Sequence, residues 1–212
     1  MDDLIEFSEI LKTKDELREY IGEPSALAKG KVIEHLDEHC LDFISKSPFL
    51  MLATSDNNGK TDVSPRGDKR GFVKVLNEKQ LLIPERPGNK RIDSLMNLLE
   101  NASISLIFVI PGLGETLRIK GTATIIKDRE WMERLIENQH IPKLAIAVEV
   151  EKCFIHCAKA MIRSNIWKES TWLNKESLPK AAKILRDHAQ QLNVSEARIE
   201  SSLQEGYQKR LY

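Results

Sequence analysis

The chain has 212 residues, of which 41% are hydrophobic and 30% charged, a composition typical of a folded globular protein. Its 32 basic and 32 acidic residues cancel, which excludes a strong overall attraction to nucleic acid or to an acidic membrane surface. No apolar run approaches the roughly 20 residues that span a bilayer, and the N-terminus lacks the basic residues of a secretory signal. We therefore expect a cytoplasmic protein that binds neither nucleic acid nor membrane.

Charge is unevenly distributed along the chain. Residues 1–45 contain 12 acidic and five basic residues, whereas residues 60–91 contain nine basic and four acidic residues. An anionic ligand would therefore be attracted to the second segment.

The N-terminal part of the chain is predicted to be helical. Thr13 followed by Glu16 matches a capping box at the start of a helix, and Gly22 matches its end. Apolar residues recur near a spacing of 3.6 over residues 26–45, which predicts a second helix that ends before Pro48.

After residue 48 the pattern changes to short runs of β-forming residues separated by turn residues, which predicts antiparallel hairpins. A helix is expected between the fourth and fifth runs and another, capped by Asp128, after the sixth; Ser195 is expected to cap a final helix. The strands are predicted at residues 49–54, 61–64, 72–76, 80–83, 103–110, 115–126 and 143–155, and the two internal helices at residues 89–100 and 128–139.

This order of elements predicts a single domain over residues 1–212, a β-rich α+β protein with six or seven strands. The expected parts are N-terminal helices over residues 1–47, a β-rich core over residues 48–167 and a C-terminal helical extension over residues 168–212.

Two polar segments are candidates for a ligand site. Asn89, Lys90 and Arg91 stand at the predicted start of a helix, where free backbone N–H groups and two cations would complement a phosphate. Two solvated cations beside a turn are the alternative explanation. Residues 64–68 end a predicted strand with Pro-Arg-Gly, and the glycine would let the backbone approach a ligand closely, although a simple inter-strand turn has the same composition.

Other polar patterns are weaker. Thr116 and Arg118 share one face of a predicted strand, which indicates a solvated face unless a ligand groove lies nearby. Cys153 and Cys157 would share the opposite strand face from His156, so one metal ion would not reach all three and no metal site is predicted. The odd number of three cysteines favours reduced thiols. No catalytic Ser-His-Asp or Cys-His set can be assembled from spacing.

Taken in order, these segments resemble the pyridoxamine 5′-phosphate oxidase-like flavoproteins, the split β-barrel FMN-binding superfamily, and within it a subgroup of uncharacterised FMN-dependent proteins. The resemblance rests on the segments TDVSPRGD, GFVKVL, LLIPERPGNKRIDSLMNLLEN, ISLIFVIPGLGETLRIKGTA and HCAKAMIRSNIW, within residues 48–167. It implies a split β-barrel that binds FMN in a cleft between the two subunits of a homodimer.

The resemblance also implies which residues bind FMN. Residues 89–91 match the phosphate-binding turn, and Thr116 falls where the family often has a glutamine that contacts the flavin ring. Ser64 and Arg66 match the strand end near the flavin, and Ile83 and Pro84 match the strand behind its ring. Arg118 lies near Thr116, and the remaining three residues fall near the inter-subunit cleft. The complete set is Ser64, Arg66, Ile83, Pro84, Asn89, Lys90, Arg91, Thr116, Arg118, Arg163, Ser164 and Trp167.

The segments with which pyridoxamine phosphate oxidases bind their substrate are not recognisable here, so oxidation of vitamin B6 is not expected. The sequence instead favours an FMN-dependent oxidoreductase that transfers hydride between a reduced nicotinamide and an unknown small-molecule substrate. Two alternatives remain open: a non-catalytic protein that binds or senses flavin or haem, and a cofactor-free dimerisation scaffold.

Overall fold

The structure is a computed structural model that describes residues 5–212. The chain divides into two compact units after Val32. The first unit contains α1 (Lys14–Ile21) and α2 (Ala26–Gly30). The Thr13 hydroxyl accepts the Glu16 N–H at 3.2 Å and the Glu16 carboxylate accepts the Thr13 N–H at 3.0 Å, so the predicted capping box is confirmed.

The second unit is built on a seven-stranded antiparallel sheet with strand order β2-β1-β5-β6-β7-β4-β3. It has the split β-barrel, α+β fold, and its strand count agrees with the six or seven that the sequence predicts. The strands are β1 (Phe49–Ser55), β2 (Thr61–Gly67), β3 (Lys74–Asn77), β4 (Gln80–Pro84), β5 (Ser103–Val109), β6 (Thr116–Ile126) and β7 (Ala145–His156).

Helices precede, interrupt and follow the strands in the sequence of the second unit. Ser195 caps the last of them by accepting the Arg198 N–H at 3.4 Å, as predicted. No described helix is long and apolar enough to cross a membrane. The helices of this unit are α3 (Glu38–Lys46), α4 (Asp93–Glu100), α5 (Arg129–Arg134), α6 (Lys159–Ser164), α7 (Ala181–His188) and α8 (Glu196–Lys209), with short 3₁₀ turns at Glu169–Thr171, Lys175–Ser177 and Gln190–Leu192.

Apolar residues that alternate along neighbouring strands form the core. Leu52 on β1 lies opposite Leu106 on β5, which in turn lies opposite Ile119 on β6, and each is at most 1% exposed. Because side chains alternate between the two faces of a strand, these residues form one buried row across three strands. Burial of each such side chain contributes about 1.5–3 kcal/mol.

The predicted helix over residues 26–45 is wrong in its extent. Ile33 exchanges both backbone hydrogen bonds with Cys153 on β7, at 3.0 and 2.8 Å, so these groups are unavailable to a helix. α3 begins only after Asp37, whose carboxylate accepts the Cys40 N–H at 2.9 Å.

Two other helices are shorter than predicted. The helix expected over residues 89–100 begins at Asp93, because Ile92 has a left-handed conformation with φ 54°. The helix expected over residues 128–139 ends at Arg134, before two residues with positive φ at Asn138 and Gln139. The short helix α6 was not predicted.

Gly121 occupies a position in the sheet that no other residue fits. It lies at a shift of register between β6 and β7, and a Cβ added there would lie 1.9 Å from the Glu149 carbonyl oxygen. We expect Gly121→Ala to lower the free energy of unfolding by about 3 kcal/mol or more, measured by denaturant titration.

The matched control is Gly206→Ala in α8, where the nearest contact of the new Cβ would be the Arg210 side chain at 3.6 Å. Its free energy of unfolding should stay unchanged or rise slightly, because alanine is the better helix former. An equal loss of stability in both variants would contradict the steric explanation.

Candidate functional site

A cleft of about 920 Å³ opens where β4 leaves the sheet. Its walls come from β2, from residues 84–95 between β4 and α4, from residues 140–144 before β7, and from Tyr212. A volume of this size lies within the range of small-molecule sites. All of these segments belong to the second unit.

The backbone between β4 and α4 is strained where it lines this cleft. Lys90 and Ile92 both have left-handed conformations, with φ 63° and 54°, and a β-branched residue seldom adopts this conformation. The Asn89 side-chain oxygen accepts the Arg91 N–H at 3.0 Å, and no side chain caps α4. Strain of this kind costs about 1–3 kcal/mol per residue and is typical of binding sites.

The cleft brings together half of the residues that the resemblance implies. Ile83 on β4 is completely buried and directly precedes Pro84, which lines the cleft. The predicted residues that line the cleft are Ser64, Arg66, Pro84, Asn89, Lys90 and Arg91, whereas Thr116, Arg118, Arg163, Ser164 and Trp167 do not line it.

The residues outside the cleft have other surroundings. Thr116 is buried at the start of β6, and the Arg118 guanidinium lies 5.6 Å from the centre of the Phe154 ring. The Trp167 indole N–H donates to the Leu113 carbonyl at 2.9 Å. Arg163 and Ser164 lie on α6, which contributes no residue to the cleft. Their role in binding stays a prediction.

All three guanidinium nitrogens of Arg66 have partners within the chain. Its Nε and Nη2 atoms lie 3.1 and 3.0 Å from the Glu85 carboxylate, and its Nη1 donates to the Ser64 hydroxyl and, at 2.9 Å, to the Pro65 carbonyl. The side chain is only 14% exposed. Arg66 therefore shapes the wall of the cleft, and its contacts leave at most one N–H group, on Nη2, for a ligand.

Three other cleft cations have fewer partners within the chain. Arg91 donates from Nε to the Asp93 carboxylate at 2.7 Å, and this hydrogen bond raises the pKa of Arg91. Lys90 has no hydrogen-bond or ion-pair partner among residues 5–212, and the same is true of Lys143, which also lines the cleft. An anionic ligand would therefore meet cations whose charge the chain has not compensated.

A buried network at the cleft was missed by the sequence analysis. The Asp68 side chain is 1% exposed and accepts three hydrogen bonds, from Arg86 Nε at 2.6 Å, the Tyr212 hydroxyl at 2.6 Å and the Lys69 N–H at 2.8 Å. The Tyr212 ring stacks on His140, with ring centres 6.1 Å apart. Asp68 lies within the SPRGD segment, but no local pattern could pair it with a residue 144 positions away.

These contacts shift two pKa values. Burial by itself raises the pKa of Asp68, but the hydrogen bonds from Tyr212, Lys69 and Arg86 together outweigh burial, so the net pKa lies below its usual range. The same hydrogen bond raises the pKa of Tyr212 to about 12, because loss of its proton would place two negative charges side by side.

The described residues offer no metal site. No group of three or more His, Cys, Asp or Glu side chains in residues 5–212 could hold a metal ion. Cys157 is exposed, whereas Cys40 and Cys153 are buried with their sulfur atoms 3.7 Å apart.

A family model for pyridoxamine 5′-phosphate oxidase matches residues 36–157, which include β1 to β7 and the segment from β4 to α4. The chain belongs to the pyridoxamine 5′-phosphate oxidase family. The match also includes residues 140–144, but it ends before Arg163, Trp167 and Tyr212. Among curated proteins, none matches the chain.

Solved structures of similar fold come from several bacteria. HupZ of Group A Streptococcus is 25% identical, with a TM-score of 0.45 over 56% of this chain and 92% of its own. A putative pyridoxamine 5′-phosphate oxidase of Lactobacillus delbrueckii is 18% identical, with a TM-score of 0.44 over 57% and 99%. An FMN-binding protein of Syntrophomonas wolfei is 10% identical, with a TM-score of 0.43 over 55% and 88%.

The hydrogen bond between Tyr212 and Asp68 predicts a pH dependence of stability. Tyrosine in the unfolded chain ionises near pH 10, whereas folded Tyr212 keeps its proton up to about pH 12. The unfolded state therefore binds fewer protons in this interval, and the stabilisation, complete below pH 10, is lost as the pH rises toward 12. Tyr212→Phe should remove this part of the pH dependence, measured as the free energy of unfolding between pH 9 and pH 12.

The matched control is Tyr207→Phe, since Tyr207 is 67% exposed on α8. This variant should keep the pH dependence of the unchanged protein. Identical pH profiles for Tyr212→Phe and the unchanged protein would contradict the prediction.

Proposed function

We propose that the chain is an FMN-binding oxidoreductase that acts as a homodimer and transfers hydride between a reduced nicotinamide and a small-molecule substrate. The observation that carries the proposal is the strained, cationic segment of residues 89–92 at the mouth of the cleft, in a member of this family. The identity of the flavin, the reaction and the dimer are all parts of this proposal.

The residues of the cleft fit FMN, which combines a doubly charged phosphate with a flat aromatic ring. Lys90 has no ion-pair partner among the described residues, and Arg91 binds Asp93 through Nε alone, so both have N–H groups for a phosphate. The first turn of α4 adds backbone N–H groups that no side chain caps. Pro84 and Leu95 provide apolar surface in the same cleft for the ring.

When bound, the flavin supplies the hydride chemistry, and the chain binds it, orients it and excludes water. Lys90 and Arg91 would hold the phosphate, while Arg66 keeps the wall of the cleft in place through its contacts with Glu85. We assign no catalytic acid or base, because hydride transfer to or from a flavin does not require one from the protein.

The phosphate assignment is tested by the double variant Lys90→Ala/Arg91→Ala. Loss of two charge-assisted contacts should weaken FMN binding about a hundredfold, roughly 3 kcal/mol, measured by quenching of flavin fluorescence on titration. The control is Lys127→Ala/Lys152→Ala, which removes two exposed lysines outside the cleft and should leave FMN affinity unchanged. Equal FMN affinities for both double variants would contradict the assignment of Lys90 and Arg91 to the phosphate.

The homodimer is supported by the residues that lie outside the cleft of their own chain. Arg163 and Trp167 do not line it, and exposed apolar residues lie near them, such as Ile162 at 68% and Trp172 at 60% exposure. In a dimer with FMN between the subunits, these residues would contact the cofactor bound to the partner chain. Such apolar exposure is typical of an interface.

Arg163→Ala tests the shared site. If Arg163 contributes a charge-assisted contact from the partner chain, the variant should weaken FMN binding about tenfold, without unfolding as judged by circular dichroism. The matched control is Lys159→Ala, which removes another cation from α6. Unchanged FMN affinity for Arg163→Ala, or a single chain by light scattering of the FMN-loaded protein, would contradict the proposed dimer site.

Turnover is tested separately from binding. The FMN-loaded protein should oxidise NADH or NADPH faster than the same concentration of free FMN. Stoichiometric FMN without such oxidation would favour the non-catalytic alternative, in which the protein binds or senses the flavin.

A further inference from the structure

Two cations flank the point where the pairing of β4 with β7 ends at the cleft. The antiparallel register pairs Pro84 with Ala145, and the Glu85 N–H continues it by donating to the Leu144 carbonyl at 3.0 Å. Arg86 and residue 143 are the next residues on either side of this last hydrogen bond. Both Arg86 and this residue, Lys143, line the cleft.

This pair of like charges is only partly compensated by the chain. Arg86 has one acidic partner, Asp68, which it binds through Nε at 2.6 Å. Lys143 is exposed and has no ion-pair partner among residues 5–212.

Two nitrogens of Arg86 have no partner within the part of the chain that the structure describes. Its Nη1 and Nη2 atoms have no hydrogen-bond partner among the described residues, and no buried side-chain nitrogen or oxygen atom in these residues lacks one. Both Nη atoms are therefore not completely buried, and they belong to a side chain that is 14% exposed and lines the cleft. Arg66 provides the contrast, because all three of its guanidinium nitrogens are engaged within the chain.

The position of the Arg86 guanidinium is fixed before any ligand binds. Asp68 holds Nε, and Asp68 is itself held by the Tyr212 hydroxyl, whose ring lies 5.8 Å from the Arg86 guanidinium carbon. A guanidinium fixed at one edge presents its other N–H groups in a planar fork that matches a carboxylate or phosphate.

We propose that Arg86 and Lys143 form an anion-binding subsite, separate from the phosphate-binding segment of residues 89–91, for a carboxylate or phosphate group of the substrate or electron donor. This inference rests on the proposed function, in which Lys90 and Arg91 are occupied by the phosphate of FMN. The substrate class is therefore a small organic anion, with its charged group at the β4–β7 end of the cleft and Asp68 and Tyr212 as positioning residues.

The test uses the full chain carrying Lys90→Ala/Arg91→Ala and freed of cofactor, so that the two predicted phosphate contacts are absent. Acetate and inorganic phosphate are the probes, and neutral acetamide, which has the shape of acetate without its charge, is the control ligand. Binding is measured from amide chemical shifts on titration. We expect acetate or phosphate, but not acetamide, to bind at millimolar concentration and to shift the signals of residues 84–86 and 140–144.

Variants then identify the cations. Lys143→Ala should weaken binding of the anions about tenfold, and Lys127→Ala, an exposed lysine outside the cleft, should not change it. Because removal of the Arg86 charge would leave Asp68 buried and unpaired, the variant at this position is Arg86→Lys, which keeps the charge and removes the fork. It should also weaken binding about tenfold, while circular dichroism shows an unchanged fold.

Tighter binding of phosphate than of acetate would support the subsite and assign it to a phosphorylated ligand, and the reverse would support it and assign it to a carboxylate. Anion affinities that neither Lys143→Ala nor Arg86→Lys changes would overturn the subsite, as would equal binding of acetamide. These results do not depend on flavin affinity. Failure of the proposed function would instead appear as unchanged FMN affinity in Lys90→Ala/Arg91→Ala.

Discussion

The carboxylate of Asp68 connects three parts of the second unit that are far apart in sequence. Because its side chain is almost completely buried, its charge requires compensation by partners that are buried with it. Arg86 after β4 and Tyr212 after α8 supply two of the three hydrogen bonds, and the Lys69 N–H supplies the third. Loss of one partner from a buried charge is costly, so this contact fixes the cleft wall as well as the folded position of Tyr212.

The sheet fixes the rest of the cleft through the register of β4 and β7. Pairing of Pro84 with Ala145 determines which residues flank the end of the strand pair, and it directs residues 85–92 away from the sheet toward α4. The chain then reaches α4 through left-handed conformations at Lys90 and Ile92. The free energy that holds this strained path comes from the buried apolar rows of the sheet, so a rigid core supports a loop that could not keep this shape alone.

The sequence predicts the parts of this fold in which local pattern and tertiary structure agree. Strand positions and the cap at Ser195 follow from alternation and from a side chain that bonds its own neighbours. The helix predicted over residues 26–45 fails because Ile33 pairs with β7, a long-range contact that periodicity does not report. Tyr212 was missed for the same reason. Lys90 and Arg91, which line the cleft, could be proposed from the sequence because their signal is local charge and turn composition, and their role in binding stays a prediction.

The two cleft arginines Arg66 and Arg86 carry the same charge but differ in how many partners they have within the chain. Five basic and three acidic residues line the cleft, and the sequence offers no basis for ranking the basic ones. Their hydrogen bonds differ in the structure: each guanidinium nitrogen of Arg66 contacts Glu85, Ser64 or Pro65, whereas Arg86 is bound through Nε only. The positive charge that the chain leaves uncompensated at the cleft therefore lies on the residues with nitrogens that have no partner among residues 5–212, namely Arg86, Arg91, Lys90 and Lys143.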